Sequence, residues 1–273
     1  MSTTSSTRTP PSMRVTPRVW IGFAIWIGYT ALVVGIQSLS GISYTAWGDS
    51  AANLFFGAGV SLIIATVALA LTTSALGWWR PAMRERQRSR HRWPIIAPVF
   101  FALLALVNLL LTDWGSYDLP FLGASLVLLL VGFTEELTAR GLLLTALRSR
   151  LHEGWVWFLT SLCFGLFHLV NILLGQDAFV TVEQVIFAFL VGTAFYILRR
   201  VTGSLVYAMI LHAVWDFSVF AVAYGHPSEL ANIVTAVVPL AGVIALIAVP
   251  FVIRGADERL PRPVPSAGAS ATS

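Results

Sequence analysis

The chain has 273 residues, 57% of them hydrophobic and 11% charged, and a formal net charge of +4. No soluble core of this size absorbs so much apolar side chain, so a bilayer is the expected solvent for most of it. All 17 basic residues are arginine. Such an excess suits loops beside an anionic leaflet better than nucleic acid.

Residues 1–17 are rich in Ser, Thr, Pro and Arg without an apolar face and read as a flexible cytoplasmic tail, as do residues 256–273. Between them, 18–255 reads as one transmembrane domain. Its first apolar stretch, Trp20 to Gln37, is followed by Ser38, Leu39 and Ser40, which resemble a signal-peptide cleavage site. Its length and the spans behind it favour a retained helix. Further spans are expected at Ala51 to Trp79, Pro94 to Leu111, Leu119 to about Leu147, Trp155 to Leu174, Phe179 to Leu198, Ser204 to Ala223 and Ala231 to Ile253. The expected fold is therefore an all-α polytopic bundle of about eight transmembrane helices. The alternation of polar and apolar positions that a barrel needs is absent from these runs.

Arginine placement orients the bundle. With the amino terminus inside, Arg8, Arg14, Arg18, the Arg80 to Arg92 cluster, Arg148, Arg150, Arg199, Arg200, Arg254, Arg259 and Arg262 all fall on the cytoplasmic side. The opposite loops hold Asp49, Asp113, Asp118, Asp177 and Glu229. Both termini are expected in the cytoplasm, and the protein in the inner (plasma) membrane. The Arg84 to Arg92 run lies between two apolar spans and has no interleaved aromatics beyond Trp93, which argues against nucleic acid as a partner. Cys163 stands alone in an apolar run, so no disulfide framework exists.

Arg140 is the arginine left over, inside the fourth span. An ionisable side chain at mid-bilayer costs about 2.5–3.5 kcal/mol on insertion scales, so such residues mark function or a buried pair. The fourth span reads Glu135, Glu136, Leu137, Thr138, Ala139, Arg140; the fifth holds Phe164, His168 and Asn171; the seventh holds His212 and Asp216. At about 1.5 Å rise per residue, Glu135 lies roughly 20 Å from the helix end at Arg148, and His168, His212 and Asp216 come to similar depths. The motif core runs over 132–216. Glu136 and Arg140, four apart, share a helix face and pair. Glu135 is turned about 100° away and is free to face the histidines. Glu135 with His168 can hold a water, and His212 with Asp216 can serve an oxyanion.

Taken singly, each residue has a plainer reading: an intramembrane His as a helix-helix hydrogen bond, Glu136 and Arg140 as a structural pair, Phe164 and Phe167 as packing, Glu183 and His226 as headgroup or loop residues. Convergence at one depth is what marks a site.

The three segments resemble the motifs of the CPBP family of intramembrane proteases, also called the Abi or CAAX protease family: Glu-Glu-x-x-x-Arg (Glu135, Glu136, Arg140), Phe-x-x-x-His (Phe164, His168) and His-x-x-x-Asn or Asp (His212, Asp216). The resemblance implies a membrane endopeptidase related to the eukaryotic CAAX prenyl endopeptidase, cutting near the cytoplasmic side. On it, Glu135 and His168 activate water, His212 and Asp216 support the oxyanion, and the substrate is a peptide or lipid-modified protein met among membrane lipids. Asp216 departs from the Asn of the eukaryotic enzymes, and an ionised Asp cannot donate to an oxyanion. The family is also labelled metalloprotease, and Glu135, His168 and His212 would supply three zinc ligands with an open position. The His-Glu-x-x-His arrangement is absent, however, and Glu135 as a ligand is not free to be the base. The preferred reading needs no cofactor. Readings from other classes are a non-catalytic membrane scaffold or bacteriocin-immunity protein, a bis-histidine haem protein on His168 and His212, and a transporter, for which inverted repeats are not evident.

Overall fold

A computed structural model describes residues 13–256. Of the two expected tails, residues 1–12 and 257–273 lie outside the described residues. Among the described residues, eight helices are long and apolar enough to cross a membrane: α1 (Val19–Ser40), α2 (Ala51–Leu76), α3 (Trp93–Leu111), α4 (Leu119–Leu147), α5 (Glu153–Leu173), α6 (Ala178–Thr202), α7 (Val206–Ala223) and α8 (Glu229–Ile253). These are the eight spans expected from the sequence, with no strand named among the described residues.

The acidic residues of the loops opposite the arginines start helices. Asp118 accepts a hydrogen bond from Phe121 N at 2.7 Å, with Pro in the first turn of α4, and Asp177 accepts from the backbone N–H groups of Phe179 and Val180 at the start of α6. Each carboxylate satisfies donors that the first helical turn leaves free and meets the positive end of the helix dipole. At the other end of α6 the chain reverses at Gly203 with φ 78°, where a Cβ would press on the Arg88 side chain at 2.8 Å. Only glycine fits that left-handed position at low cost.

Three spans depart from α-helical geometry within their length, besides the 3-10 turn that opens α3. A π-helical segment, Phe55–Gly59, lies in α2. In α4 a turn at Leu128 and Leu129 is followed by a second π-helical segment, Leu137–Leu143, immediately after the two glutamates. α5 is broken at His168 and Leu169, between helical segments Glu153–Phe167 and Val170–Leu173. Such segments occur frequently at functional sites.

α4 is the central helix. It packs on α1, α2, α5 and α7, and every residue from Thr134 to Arg148 is buried. α6 packs on α5, α7, α8 and α3 and closes the other side. The crossing of α4 and α7 depends on Gly132, since a Cβ there would meet the backbone N of Ala213 at 2.7 Å and its Cβ at 2.8 Å. Small residues at such crossings let membrane helices approach by van der Waals packing.

At the arginine face, the loop after α2 docks against the α6–α7 turn through Glu85 N to Gly203 O at 3.1 Å and Ser89 N to Arg200 O at 2.8 Å. Beneath it the buried Glu85 carboxylate accepts from Arg148, Arg199 and Arg200, and Arg148 also pairs with Glu153, to which Tyr196 donates at 2.6 Å. Ahead of α1, the backbone N–H groups of Arg14 and Val15 donate to Leu76 O, and Trp78 Nε1 donates to Val15 O at 2.7 Å.

Candidate active site

α4 presents its glutamates in two directions. Glu136 and Arg140 are both fully buried, and Arg140 Nη1 donates to Glu136 Oε1 at 2.7 Å, so the pair expected from the four-residue spacing forms. The Arg140 guanidinium also lies over the Phe164 ring, 3.9 Å from its centroid. A cation on an aromatic face gains about 2 kcal/mol or more when both are desolvated. The space for it comes from Gly192 of α6, where a Cβ would collide with the guanidinium and come within 3.0 Å of Phe164. Phe164, read from sequence as packing, thus forms a wall of the ion pair.

His212 of α7 stands between two carboxylates. Its Nδ1 is 3.2 Å from Glu136 Oε1, at an angle that misses good hydrogen-bond geometry, and its Nε2 is 3.4 Å from Asp216 Oδ2. Phe195 stacks on the imidazole, with ring centroids 4.8 Å apart. The result is a chain Arg140, Glu136, His212, Asp216 that runs from the buried centre of the bundle outward. Asp216, whose side chain is 38% exposed, is its open end.

Glu135 points elsewhere. It is nearly buried, and its Oε2 has no hydrogen-bond partner. It lies on the wall of a cavity of about 110 Å³ that also carries His168 and Asp216. A second, smaller opening, lined by Trp26, Phe164 and Phe167, reaches the same carboxylate from between α1 and α5. Tyr29 and Phe167 line both openings, with ring centroids 5.3 Å apart, and Tyr29 OH donates to Thr134 Oγ1 at 3.2 Å.

The break in α5 orients His168. Its Nδ1 lies 3.0 Å from the Phe164 carbonyl oxygen. A carbonyl only accepts, so Nδ1 carries the proton of that bond and Nε2 of the neutral ring keeps a lone pair. Glu135, His168 and Asp216 therefore share the cavity wall, while Glu136, Arg140 and His212 stand behind it. Glu183 is exposed on α6, and His226 pairs with Asp113 at 3.0 Å on the loops.

Asn171, named from the sequence beside His168, has cavity partners, Gln184 and Tyr44, that were not singled out there. Asn171 Nδ2 donates to Gln184 Oε1 at 3.0 Å, and Gln184 Nε2 donates to Tyr44 OH at 3.4 Å, forming a polar rim with Trp47. Their only sequence signal is an amide or hydroxyl in or beside an apolar span. The rim lies at the ends of α1 and α5 and the start of α6, the face opposite the arginine loops. Toward the arginine side lie the buried segment Thr134 to Arg148 and the Glu85 ion network.

Glu135, His168 and His212, the three donors considered for zinc, are not gathered around one point among the described residues. Among the described residues no group of three or more His, Cys, Asp or Glu is arranged to hold an ion, and both ring nitrogens of His212 are turned to carboxylates.

Compared with known proteins, residues 117–218 match the family described as Rce1-like, type II CAAX prenyl endopeptidase Rce1-like. The match runs from the start of α4 through most of α7 and contains every motif residue. Over this segment the chain is similar to the CAAX protease (CPBP) family. The family points to a membrane-embedded protease. No curated protein and no solved structure matches the chain. In CAAX protease terms, the shared segment supplies the cavity wall and the ion chain behind it, while α1 and the α1–α2 loop, which lie outside the match, supply Tyr29, Tyr44 and Trp47.

Proposed function

We propose that this protein is an intramembrane endopeptidase that hydrolyses a peptide bond with water activated by Glu135 and His168, without an obligatory metal. The observation that carries this reading is the unpartnered Glu135 oxygen on the wall of a cavity shared with His168 and Asp216. A scaffold protein has no use for an unpaired carboxylate at that depth, which costs several kcal/mol to hold.

A water in the cavity donates one hydrogen to Glu135 and the other to His168 Nε2, which leaves its lone pair for the scissile carbonyl carbon. As the C–O bond forms, Glu135 takes the proton and the carbonyl π electrons move to oxygen. Collapse of the tetrahedral intermediate breaks the C–N bond, and Glu135 returns its proton to the leaving amine. The oxyanion is served by His212 Nε2–H, which stands behind Asp216 and is reached when substrate displaces the 3.4 Å contact between the two. Asp216 then orients His212 and accepts from a substrate backbone N–H, a role open to an ionised Asp. Glu136 and Arg140 act through His212 and α4 as positioning residues.

The test compares membrane peptides from cells carrying wild-type or Glu135→Gln protein, together with cleavage of the accumulating precursor by each purified protein in detergent. An uncut precursor that only the wild type cleaves supports the reading. Equal cleavage by both proteins would overturn it.

A further inference from the structure

Three observations concern the route to this cavity. First, the cavity wall carries Glu135, His168 and Asp216 together with Tyr29 at mid-span of α1, and the rest of its polar lining, Gln37, Tyr44, Trp47, Asn171 and Gln184, lies toward the ends of α1 and α5, the α1–α2 loop and the start of α6. The loop above is stitched across that face by Tyr44 N to Leu174 O at 2.9 Å and Ser43 Oγ to Leu174 O at 3.1 Å. Second, the opposite end of the bundle is filled. Thr134 to Arg148 are buried without interruption, and Glu85, Arg148, Arg199, Arg200 and Glu153 close the space under the α2–α3 loop with their charges paired. Third, apart from Arg140, every arginine among the described residues belongs to that filled end, and the loops at the open end carry Asp49, Asp113, Asp118, Asp177 and Glu229 instead. Short loops rich in arginine are retained in the cytoplasm.

We infer that the hydrolytic cavity opens to the non-cytoplasmic side of the membrane, so that its substrates are exported or membrane-anchored polypeptides presented from that side. A cytoplasmic prenylated carboxyl terminus would then lie on the wrong side. The inference rests on the proposed hydrolase reading for the word substrate, but the direction of opening stands on lining and charge alone. The rim suits an extended chain, because the Asn171, Gln184 and Tyr44 groups offer donors and acceptors to a peptide backbone without a charge to select among side chains.

The experiment uses the full chain in cells, in a Cys163→Ser background that removes the native thiol. Single cysteines are placed at Asp49→Cys in the α1–α2 loop, at Arg90→Cys in the arginine loop, and at Val131→Cys or Gln184→Cys on the cavity wall. A charged, membrane-impermeant maleimide is applied to spheroplasts and to inverted membrane vesicles. Expected is labelling of the Asp49, Val131 and Gln184 positions in spheroplasts only, and of the Arg90 position in inverted vesicles only. Cavity thiols labelled from the arginine side, cavity thiols labelled from neither side, or an Asp49 position facing the cytoplasm would each overturn the inference. Thiol accessibility does not depend on catalysis. Loss of the hydrolase reading would leave this result intact, and the reverse also holds.

Discussion

At the residue scale, two adjacent glutamates have opposite surroundings and opposite expected phenotypes. Glu136 is fully buried against Arg140. Glu136→Ala leaves a guanidinium uncompensated in the bundle centre, a loss of about 3–5 kcal/mol, and should appear as a large fall in the thermal unfolding temperature in detergent and in membrane yield. Glu135 has no such partner. Glu135→Gln keeps shape and removes only the base, so unfolding should be unchanged while cleavage of an identified substrate falls roughly 10²–10⁴-fold. A Glu135→Gln protein that unfolds early with its activity retained would reverse the assignment of the two residues. The division was legible in the sequence, because a four-residue spacing places Glu136 beside Arg140 and turns Glu135 away. The approach of His212 to Glu136 was not legible, since it joins residues on different helices and depends on how α7 seats on α4.

At the scale of elements, that seating depends on glycines and on departures from α-helical geometry. Gly132 lets the α7 backbone touch α4, whereas Gly123, earlier in the same helix, has open space around its Cβ position. Gly132→Ala should therefore lower stability by about 1–3 kcal/mol, the usual cost of overpacking, and draw His212 away from Glu136 with a loss of activity. Gly123→Ala should be neutral or gain up to about 1 kcal/mol of helix propensity. Parallel unfolding curves of the two variants check this, and equal effects would show that the α4–α7 crossing has room to relax. The number and order of the spans followed from apolar length alone. The π-helical segment Leu137–Leu143 and the break at His168 did not. No run of residues in α4 or α5 marks either geometry in advance.

At the scale of the whole molecule, the two ends of the bundle are built from different physics. One end is capped by acidic residues at helix starts and stitched by neutral hydrogen bonds; the arginine end is held by ions. Glu85 is the hub of those ions, and its side chain is fully buried among Arg148, Arg199 and Arg200. Burial alone would raise its pKa, but the three guanidiniums outweigh this and hold the carboxyl well below the usual carboxylate range. A carboxylate depressed in the folded state contributes stability that is fully present above its unfolded pKa of about 4.3 and is lost as pH falls from there toward the folded value. The detergent-solubilised protein should accordingly unfold at nearly constant temperature from pH 7 to about 5 and at steadily lower temperature below that. Glu85→Gln leaves three arginines without their shared anion. Its unfolding temperature should already be low at pH 7, by the equivalent of about 3–5 kcal/mol, and the part of the acid-side slope that Glu85 supplies should disappear. An unaltered acid slope in Glu85→Gln would assign the pH dependence to other carboxylates. It would also remove the ion network as the reason why the arginine end of the bundle stays shut.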